Sequence, residues 1–196
     1  MQLAPDFETF RANYEAGKPQ VVWTTLVADL ETPVSAFLKL AEGQPYSFLF
    51  ESVEGGTTIA RYSFITLKPD LIWRCQGGKS EINRRARFQP DAFEVEEGHP
   101  LENLRQLSRS CQMEVPEHLP PMAASLIGYA GYDMVRLMER LPEKNPNVLG
   151  VPDSIFVRPT VTAIFDRVED LVTVISPVWP SGERSAAAAY ELACAR

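Results

Sequence analysis

The segment Phe-Leu-Phe-Glu-Ser at residues 48–52, followed by Arg-Tyr-Ser-Phe-Ile at residues 61–65, decides how this chain folds. Both segments are short and apolar, and the glycine-containing turn between them indicates a β-hairpin. The first strand ends on a carboxylate and a hydroxyl, Glu51 and Ser52. Since a buried polar group without a partner costs about 1–3 kcal/mol, this pair is a candidate for binding a small polar ligand. The alternative interpretation is a capped hairpin end with Glu51 in solvent.

Helices and extended segments alternate around this hairpin. Thr32 is placed to cap a helix that begins at Pro33, and Gly77-Gly78 supplies the dihedral angles of a tight turn between two strands. No strand–helix–strand alternation recurs, so the pattern predicts an α+β fold with a mostly antiparallel β-sheet and packed helices. The predicted helices cover residues 6–16, 33–43, 100–112 and 134–141, and the predicted strands cover residues 21–27, 46–52, 60–67, 71–76, 79–83, 124–129, 157–166 and 171–178.

Composition limits the classes of function. Of the 196 residues, 45% are hydrophobic and 23% are charged, which is ordinary for a globular domain. The formal net charge of -7 argues against sequence-independent binding to nucleic acid, and there is no apolar run of about eighteen residues to cross a membrane. The cysteines and histidines show neither metal-ligand spacing nor a nucleophile–base pair, so we expect no metal ion and no catalytic residue in this chain.

Four segments lie in the order found in one family of enzymes. They are residues 32–40 (Thr-Pro-Val-Ser-Ala-Phe-Leu-Lys-Leu), the two hairpin segments at 48–52 and 61–65, and residues 128–136 (Gly-Tyr-Ala-Gly-Tyr-Asp-Met-Val-Arg), with Pro-Asp at 152–153 closing the series. Together they resemble the N-terminal domain of anthranilate synthase component I, the large subunit that converts chorismate to anthranilate for tryptophan synthesis. The resemblance covers roughly residues 20–180.

The chain departs from the family pattern in the hairpin. Ala60 and Thr66 stand where the family has glycines, and Leu49-Phe50 replaces a leucine pair. Alanine and threonine adopt positive φ poorly. We therefore expect gentler bends or shifted loops at these two positions.

The resemblance implies an allosteric pocket for L-tryptophan, the end product of the pathway. Carried over residue by residue, it implies that Pro33, Phe50, Glu51 and Ser52 line the pocket. We expect Glu51 to attract the α-ammonium group and Ser52 to bond the ammonium or carboxylate group, while Phe50 and Pro33 flank the indole. Arg61 is expected to be buried and to pair with a carboxylate, with Glu51 as the nearest candidate.

The same resemblance places catalysis outside this chain. In the family, the chorismate site and its Mg²⁺ ligands lie in a larger C-terminal domain, and the tryptophan pocket lies where the two domains meet. We therefore expect residues 1–180 to be the N-terminal regulatory domain and residues 181–196 to be a helix or linker cut short toward the catalytic domain. The chain alone is expected to hold no cofactor, to be inactive, and to bind tryptophan weakly or not at all. The whole protein would be a feedback-inhibited cytoplasmic lyase whose partner is a glutamine amidotransferase subunit, component II.

Residues 128–133 have two interpretations. In the first, Gly128 and Gly131 relieve crowding at a strand-to-helix turn while Tyr129 and Tyr132 pack. In the second, the segment forms part of a structural interface with the catalytic domain.

Two alternative functions stay open at this point. One is the N-terminal domain of aminodeoxychorismate synthase component I, which has the same architecture and substrate. The Arg-Tyr-Ser-Phe-Ile segment points toward the anthranilate enzyme instead. The other is a free-standing amino-acid-binding or docking module, which the unfinished alanine-rich helix at residues 185–196 argues against.

Overall fold

The computed structural model describes residues 3–51, 61–142 and 148–196. Its α-helices, in chain order, are α1 (Phe7–Glu15), α2 (Pro33–Ala41), α3 (Pro100–Ser110) and α4 (Ala186–Cys194). Its strands are β1 (Gln20–Val27), β2 (Phe48–Glu51), β3 (Tyr62–Leu67), β4 (Leu71–Gln76), β5 (Lys79–Asn83), β6 (Glu94–Val95), β7 (Ile127–Ala130), β8 (Ser154–Arg158), β9 (Val161–Asp166) and β10 (Leu171–Val178). Short 3₁₀-helices cover Pro121–Ala123 and Tyr132–Leu137. Antiparallel sheets with separate helices confirm the predicted α+β class.

The chain divides into two compact units, each with its own antiparallel sheet. The first unit comprises Met1–Lys68, Met113–Ser125 and Pro159–Arg196, and its strands lie in the order β1-β10-β9-β3-β2. The second unit comprises Pro69–Gln112 and Leu126–Arg158, and its strands lie in the order β6-β5-β4-β8-β7. The hairpin formed by β2 and β3 therefore belongs to the first unit, with β2 as an edge strand.

Helices α1 and α4 pack together on the first sheet. Asp6 caps α1 by accepting a hydrogen bond from the N–H of Thr9 at 2.8 Å, and Phe10 and Tyr14, one helical turn apart, are both buried. The small residues on the buried side of α4 complete this cluster: Ala186, Ala189 and Ala193. The end of the chain thus contains a helix in the core of the first unit, and the domain boundary predicted at residue 180 stays a prediction.

Helix α2 covers the part of the first sheet that carries the hairpin. Thr32 caps this helix as predicted, because its hydroxyl accepts from the N–H of Ser35 at 3.1 Å and the Ser35 hydroxyl accepts from the N–H of Thr32 at 3.0 Å. Ala36 is buried against Ile65 of β3 and Ala163 of β9. The covered face of the hairpin is therefore fixed by the packing of α2.

The second unit contains the hairpin that the sequence predicts best. Strands β4 and β5 have the predicted bounds and join through Gly77 and Gly78, whose φ angles of 56° and 77° suit glycine. Helix α3 buries Leu107 beside Trp73, which is fully buried. The indole N–H of Trp73 donates to Glu96 at 2.8 Å, so the buried nitrogen has its partner.

Several predicted elements differ from the structure. The strand predicted over 157–166 is wrong: it is two strands, β8 and β9, which belong to different units and are separated at Pro159. Proline has no N–H to donate to a sheet, which makes it a natural break. The helix predicted over 134–141 is the 3₁₀-helix Tyr132–Leu137, and the strand predicted over 124–129 is β7. Strand β2 begins at Phe48, after Tyr46 with its positive φ of 55°.

One of the two departures from the family pattern can be located. Thr66 is an ordinary residue of β3, opposite Phe48 on one side and Thr162 on the other, so no tight bend is needed there. Ala60 lies outside the described residues, as does Ser52, which was predicted to end the first hairpin strand.

Strand β7 runs very close to β8 at Gly128. This residue lies opposite Phe156, and a Cβ added to it would be 1.9 Å from the backbone oxygen of Ile155 and 2.9 Å from the Cα of Phe156. At Gly131 an added Cβ would be 2.8 Å from the backbone oxygen of Asp153. Both glycines therefore relieve backbone crowding, which is the first of the two interpretations of this segment.

We predict that Gly128→Ala destabilises the protein by at least about 3 kcal/mol, because the added methyl group can be accepted only if the paired backbone of β8 moves. The matched control is Gly182→Ala, where an added Cβ meets nothing within 4 Å, and where we expect a change within about 0.5 kcal/mol. Urea-induced unfolding followed by circular dichroism measures both. Equal stability of the two variants would contradict the close approach at Gly128.

Candidate functional site

The polar end of the hairpin lies on the face of the first sheet that α2 covers. In the register of the strands, Glu51 lies opposite Ser63, and Ser63 lies opposite Phe165 of β9. Residues directly opposite one another in antiparallel strands point to the same face, and Leu49, Ile65 and Phe165 all pack in the cluster beneath α2. The Glu51 carboxylate and the Ser63 hydroxyl therefore share this face.

Phe50 points to the opposite face. It lies opposite Phe64, and the two rings stack with centroids 4.9 Å apart, while Phe48 continues the stack at 6.1 Å from Phe50. Successive side chains of a strand alternate between faces, so Phe50 is separated by the sheet from Glu51 and from α2, which begins at Pro33. The structure thus places Phe50 on the face away from α2, and the prediction that Phe50 and Pro33 flank an indole stays a prediction.

Pro33 is the first residue of α2, the helix that covers the face carrying Glu51. The row that contains Glu51 and Ser63 continues through Phe165 to Val172 of β10 and Leu26 of β1. The chain leaves β1 at that end of the sheet after Val27, and α2 begins at Pro33. Of the four residues predicted to line the pocket, Glu51 lies on the face that α2 covers, Phe50 lies on the other face, Pro33 begins α2, and Ser52 lies outside the described residues.

Arg61 and Glu51 have separate ion-pair partners at this end of the sheet. Arg61 pairs with a carboxylate as predicted, and Glu169 also lies 4.0 Å from it, but the expectations that Arg61 is buried and that its partner is Glu51 are wrong. Arg61 is exposed and bonds Asp166 through Nε at 2.9 and 3.1 Å and through Nη2 at 2.7 Å. Glu51 instead contacts Arg167, at 3.4 Å between Oε1 and Nη2. The correction has a simple physical reason: the two oxygens of Asp166 meet the guanidinium fork in two parallel bonds, the geometry that arginine prefers.

The Asp166 carboxylate accepts several hydrogen bonds at the end of β9. The Arg61 guanidinium holds the pKa of the Asp166 carboxyl below its ordinary value, and the N–H groups of Val168 and Glu169, which donate to the same carboxylate, act in the same direction. Asp166 is the last residue of β9, so these bonds also define the turn toward β10. The charge on Asp166 therefore stabilises both the strand end and the turn.

Ser63 is a residue of the site that the sequence analysis missed. It is 1% exposed, and its hydroxyl has no hydrogen-bond partner within the described parts of the chain. The signal was present, because Ser63 lies in the Arg-Tyr-Ser-Phe-Ile segment, but placing it beside Glu51 requires the register of the hairpin. Arg167 was missed as well, since nothing local in the sequence connects it with Glu51.

A separate cavity of about 430 Å³ lies near the C-terminal end of α2. The residues around it come from α2 and from the loop that follows: Phe37, Leu38, Ala41, Glu42, Gln44 and Ser47. Its volume is within the range of small-molecule sites. Of the described residues predicted to bind tryptophan, Pro33, Phe50 and Glu51, none is among those lining residues.

The tyrosines of segment 128–133 differ from each other. The Tyr129 hydroxyl donates to the backbone oxygen of Pro152 at 2.7 Å, which ties β7 to the segment before β8. Tyr132 is 86% exposed, so the prediction that both tyrosines pack is wrong for this residue. An interdomain role for the segment stays a prediction.

The described residues contain neither a metal-binding cluster nor a membrane-spanning helix. They contain no group of three or more histidine, cysteine, aspartate or glutamate side chains arranged to hold a metal ion. No helix among them has both the length and the apolar character to cross a membrane.

We predict that Asp166→Asn lowers the free energy of unfolding by about 1–2 kcal/mol near pH 7, because a charge-assisted pair with partly exposed Arg61 is lost. Since the pKa of Asp166 is lower in the folded than in the unfolded state, its contribution is complete above the unfolded-state pKa of about 3.9 and is lost as the pH falls through the folded-state value. The difference between wild type and variant should therefore shrink below about pH 4. Urea unfolding at about pH 7 and pH 3 measures it.

The matched control for this experiment is Asp133→Asn, which removes the same charge from an exposed pair with Arg136. We expect this control to change the stability by less than about 0.5 kcal/mol. If the free energies of unfolding of wild type and Asp166→Asn differ by the same amount at both pH values, the stabilisation does not depend on the ionisation of Asp166.

Comparison with curated proteins places the chain beside one set of enzymes, although no protein-family model matches it. It is 52% identical to the anthranilate synthase component 1 of Cereibacter sphaeroides over 190 residues, which is 97% of this chain and 38% of that protein. The corresponding protein of Thermus thermophilus is 40% identical over 78% of this chain and 31% of its own length. That of Synechocystis is 36% identical over 99% of this chain and 38% of its own length.

A solved structure agrees in fold. The crystal structure of anthranilate synthase component I from Streptococcus pneumoniae superposes with a TM-score of 0.56, at 21% identity, over 87% of this chain and 35% of that one. The chain thus spans well under half the length of the proteins that it matches. By these matches, it belongs to the anthranilate synthase component 1 family and corresponds to the N-terminal domain.

Proposed function

We propose that this chain is the regulatory, effector-binding part of an anthranilate synthase, and that it takes part in binding L-tryptophan. The whole protein would convert chorismate to anthranilate, a lyase reaction in tryptophan biosynthesis, and would be inhibited by its pathway's end product. Support comes from relatives named anthranilate synthase component 1 that match 97% and 99% of this chain.

The observation that carries the effector proposal is the position of Glu51. Its carboxylate stands at the edge of the face that α2 covers, is 33% exposed, and, among the described residues, contacts Arg167 at 3.4 Å. A carboxylate in this setting can accept charge-assisted hydrogen bonds from an ammonium group. Phe165 lies in the same row of side chains and is buried in the cluster beneath α2.

The other parts of the proposal concern the remainder of the enzyme. We place the chorismate site and its Mg²⁺ in a catalytic domain outside this chain, which supplies another wall of the tryptophan pocket. The 196-residue chain is accordingly inactive alone and binds tryptophan weakly or not at all. Inhibition requires a coupling free energy between the two sites, typically about 1–3 kcal/mol.

The partner and location follow from the same proposal. A glutamine amidotransferase subunit, component II, would deliver ammonia to the catalytic domain, and the complex would work in the cytoplasm. Of the two alternatives, aminodeoxychorismate synthase component I is disfavoured because the relatives described above carry the anthranilate synthase name. No observation favours a free-standing binding module.

We predict that the full-length protein carrying this chain forms anthranilate from chorismate with Mg²⁺ and ammonia, and that L-tryptophan inhibits it. Glu51→Gln should raise the tryptophan concentration for half-inhibition about tenfold or more, because a charge-assisted hydrogen bond is worth about 1.5–3 kcal/mol. Uninhibited activity should be unchanged, because Glu51 is not placed in the catalytic machinery. Anthranilate fluorescence at varied tryptophan concentrations measures both quantities.

The matched control is Glu183→Gln, which removes the same charge from an exposed position ahead of α4. It should leave inhibition unchanged. Anthranilate formation that is insensitive to tryptophan would refute the regulatory role. Inhibition that survives Glu51→Gln unchanged would refute Glu51 as a binding residue while leaving the enzyme assignment in place.

A further inference from the structure

We propose that the outer side of α2 is a docking surface for the part of the full-length protein that follows this chain. The surface consists of Val34 and Leu38, together with the cavity beside Leu38. The inference goes beyond the proposed function, because it requires only that the protein continues past this chain as its relatives do.

The first observation is that α2 is apolar on more than the side that it buries. All four α-helices lie within the described residues, and every exposed large hydrophobic residue in them belongs to α2: Val34, Leu38 and Leu40. The exposed sides of α1 and α3 instead carry polar residues such as Arg11 and Arg105. A surface helix normally has one apolar and one polar side. The additional apolar residues of α2 therefore indicate a second packing partner.

The geometry of the helix places Val34 and Leu38 away from the core. They are one turn apart, so they lie side by side, and they are 46% and 67% exposed. Each is two residues from Ala36, which is buried against the sheet. With 3.6 residues per turn, a separation of two residues corresponds to about 160° around the helix axis. The core of the first unit therefore leaves this pair uncovered.

The second observation is the cavity of about 430 Å³ next to Leu38. Leu38 lines it together with Phe37 and Ala41, and Glu42 adds a carboxylate. A projecting row of side chains beside a depression is the shape that allows another element to interlock with a helix. The carboxylate favours a basic side chain in the docked segment. We therefore expect that segment to present apolar side chains together with a lysine or arginine.

The polar side of α2 is engaged within the chain. Lys39 forms an ion pair with Glu31, and the Ser35 hydroxyl donates to the same carboxylate at 2.7 Å. These contacts, with the cap at Thr32, hold the start of the helix in place. A surface that is already ordered loses less conformational entropy when it docks.

The size of the surface favours a segment of the same polypeptide over a separate molecule. The nine residues of α2 form a helix about 14 Å long, whereas a stable complex of two proteins buries about 800 Å² on each partner. A tethered segment has an effective concentration that reaches the millimolar range, so a smaller surface suffices. Such a segment exists in the relatives, because the 190 matched residues are 38% of the Cereibacter sphaeroides protein.

The test places the photo-crosslinking amino acid p-benzoylphenylalanine at position 38 of the full-length protein, with no other subunit present. Illumination should join position 38 to a segment beyond residue 196 of the same polypeptide, in a yield that does not depend on protein concentration. Peptide mass spectrometry identifies the joined segment. The matched control position is Gln106, an exposed residue of α3, which should not join that segment.

Leu38→Glu in the full-length protein measures the contribution of the surface to stability. A carboxylate in an apolar contact is unfavourable, so this change should lower the melting temperature by about 2 °C or more. The matched control is Val95→Glu, at a residue with the same exposure, 68% against 67%, and it should shift the melting temperature by less than about 1 °C. Scanning calorimetry measures both.

The other outcomes reject the inference. A crosslink between two copies, in a yield that rises with concentration, would assign the surface to self-association. A crosslink that forms only when a glutamine amidotransferase subunit is added would assign it to that partner. No crosslink from position 38 beyond that from Gln106, or equal effects of Leu38→Glu and Val95→Glu, would show that α2 is covered by nothing. The proposed function is tested separately, by inhibition of anthranilate formation.

Discussion

The register of β2 on β3 and of β3 on β9 is the constraint on which the site depends. Because side chains alternate with a period of two, a slip by one residue would move Glu51 to the face that carries Phe50 and Phe64. The register is held by burial, since Ile65 and Ala163 must face α2 to be covered. The packing of the core under α2 thus determines the register of the strands. The register in turn determines which polar side chains lie close together at the edge of the sheet.

Features encoded within a few residues were predictable from the sequence. The cap at Thr32 involves a partner three residues along, and the turn at Gly77-Gly78 needs only the dihedral freedom of glycine. The break at Pro159 was missed because apolar residues continue on both sides of it and resemble one long strand. Only the division into two sheets, which is a property of the tertiary fold, separates β8 from β9.

The partners within the candidate site were less predictable, because they join distant parts of the chain. Arg61 and Asp166 are 105 residues apart, and Glu51 and Arg167 are 116 apart. Proximity in sequence favoured the pair of Arg61 and Glu51, yet the geometry gives each a partner from the end of β9. The faces of Phe50 and Glu51 also follow only from the fold, because neighbouring residues of a strand point to opposite faces and the sequence does not say which face α2 covers.

The adjacent residues Asp166 and Arg167 differ in how firmly their side chains are held at the end of β9. Asp166 bonds Arg61 and the N–H groups of the following turn, so the backbone on both sides of Arg167 is fixed in the free protein. Within the described residues, the side chain of Arg167 contacts Glu51 at 3.4 Å. A fixed backbone beside a long side-chain contact leaves the two charged groups able to change partners without disturbing the strand end.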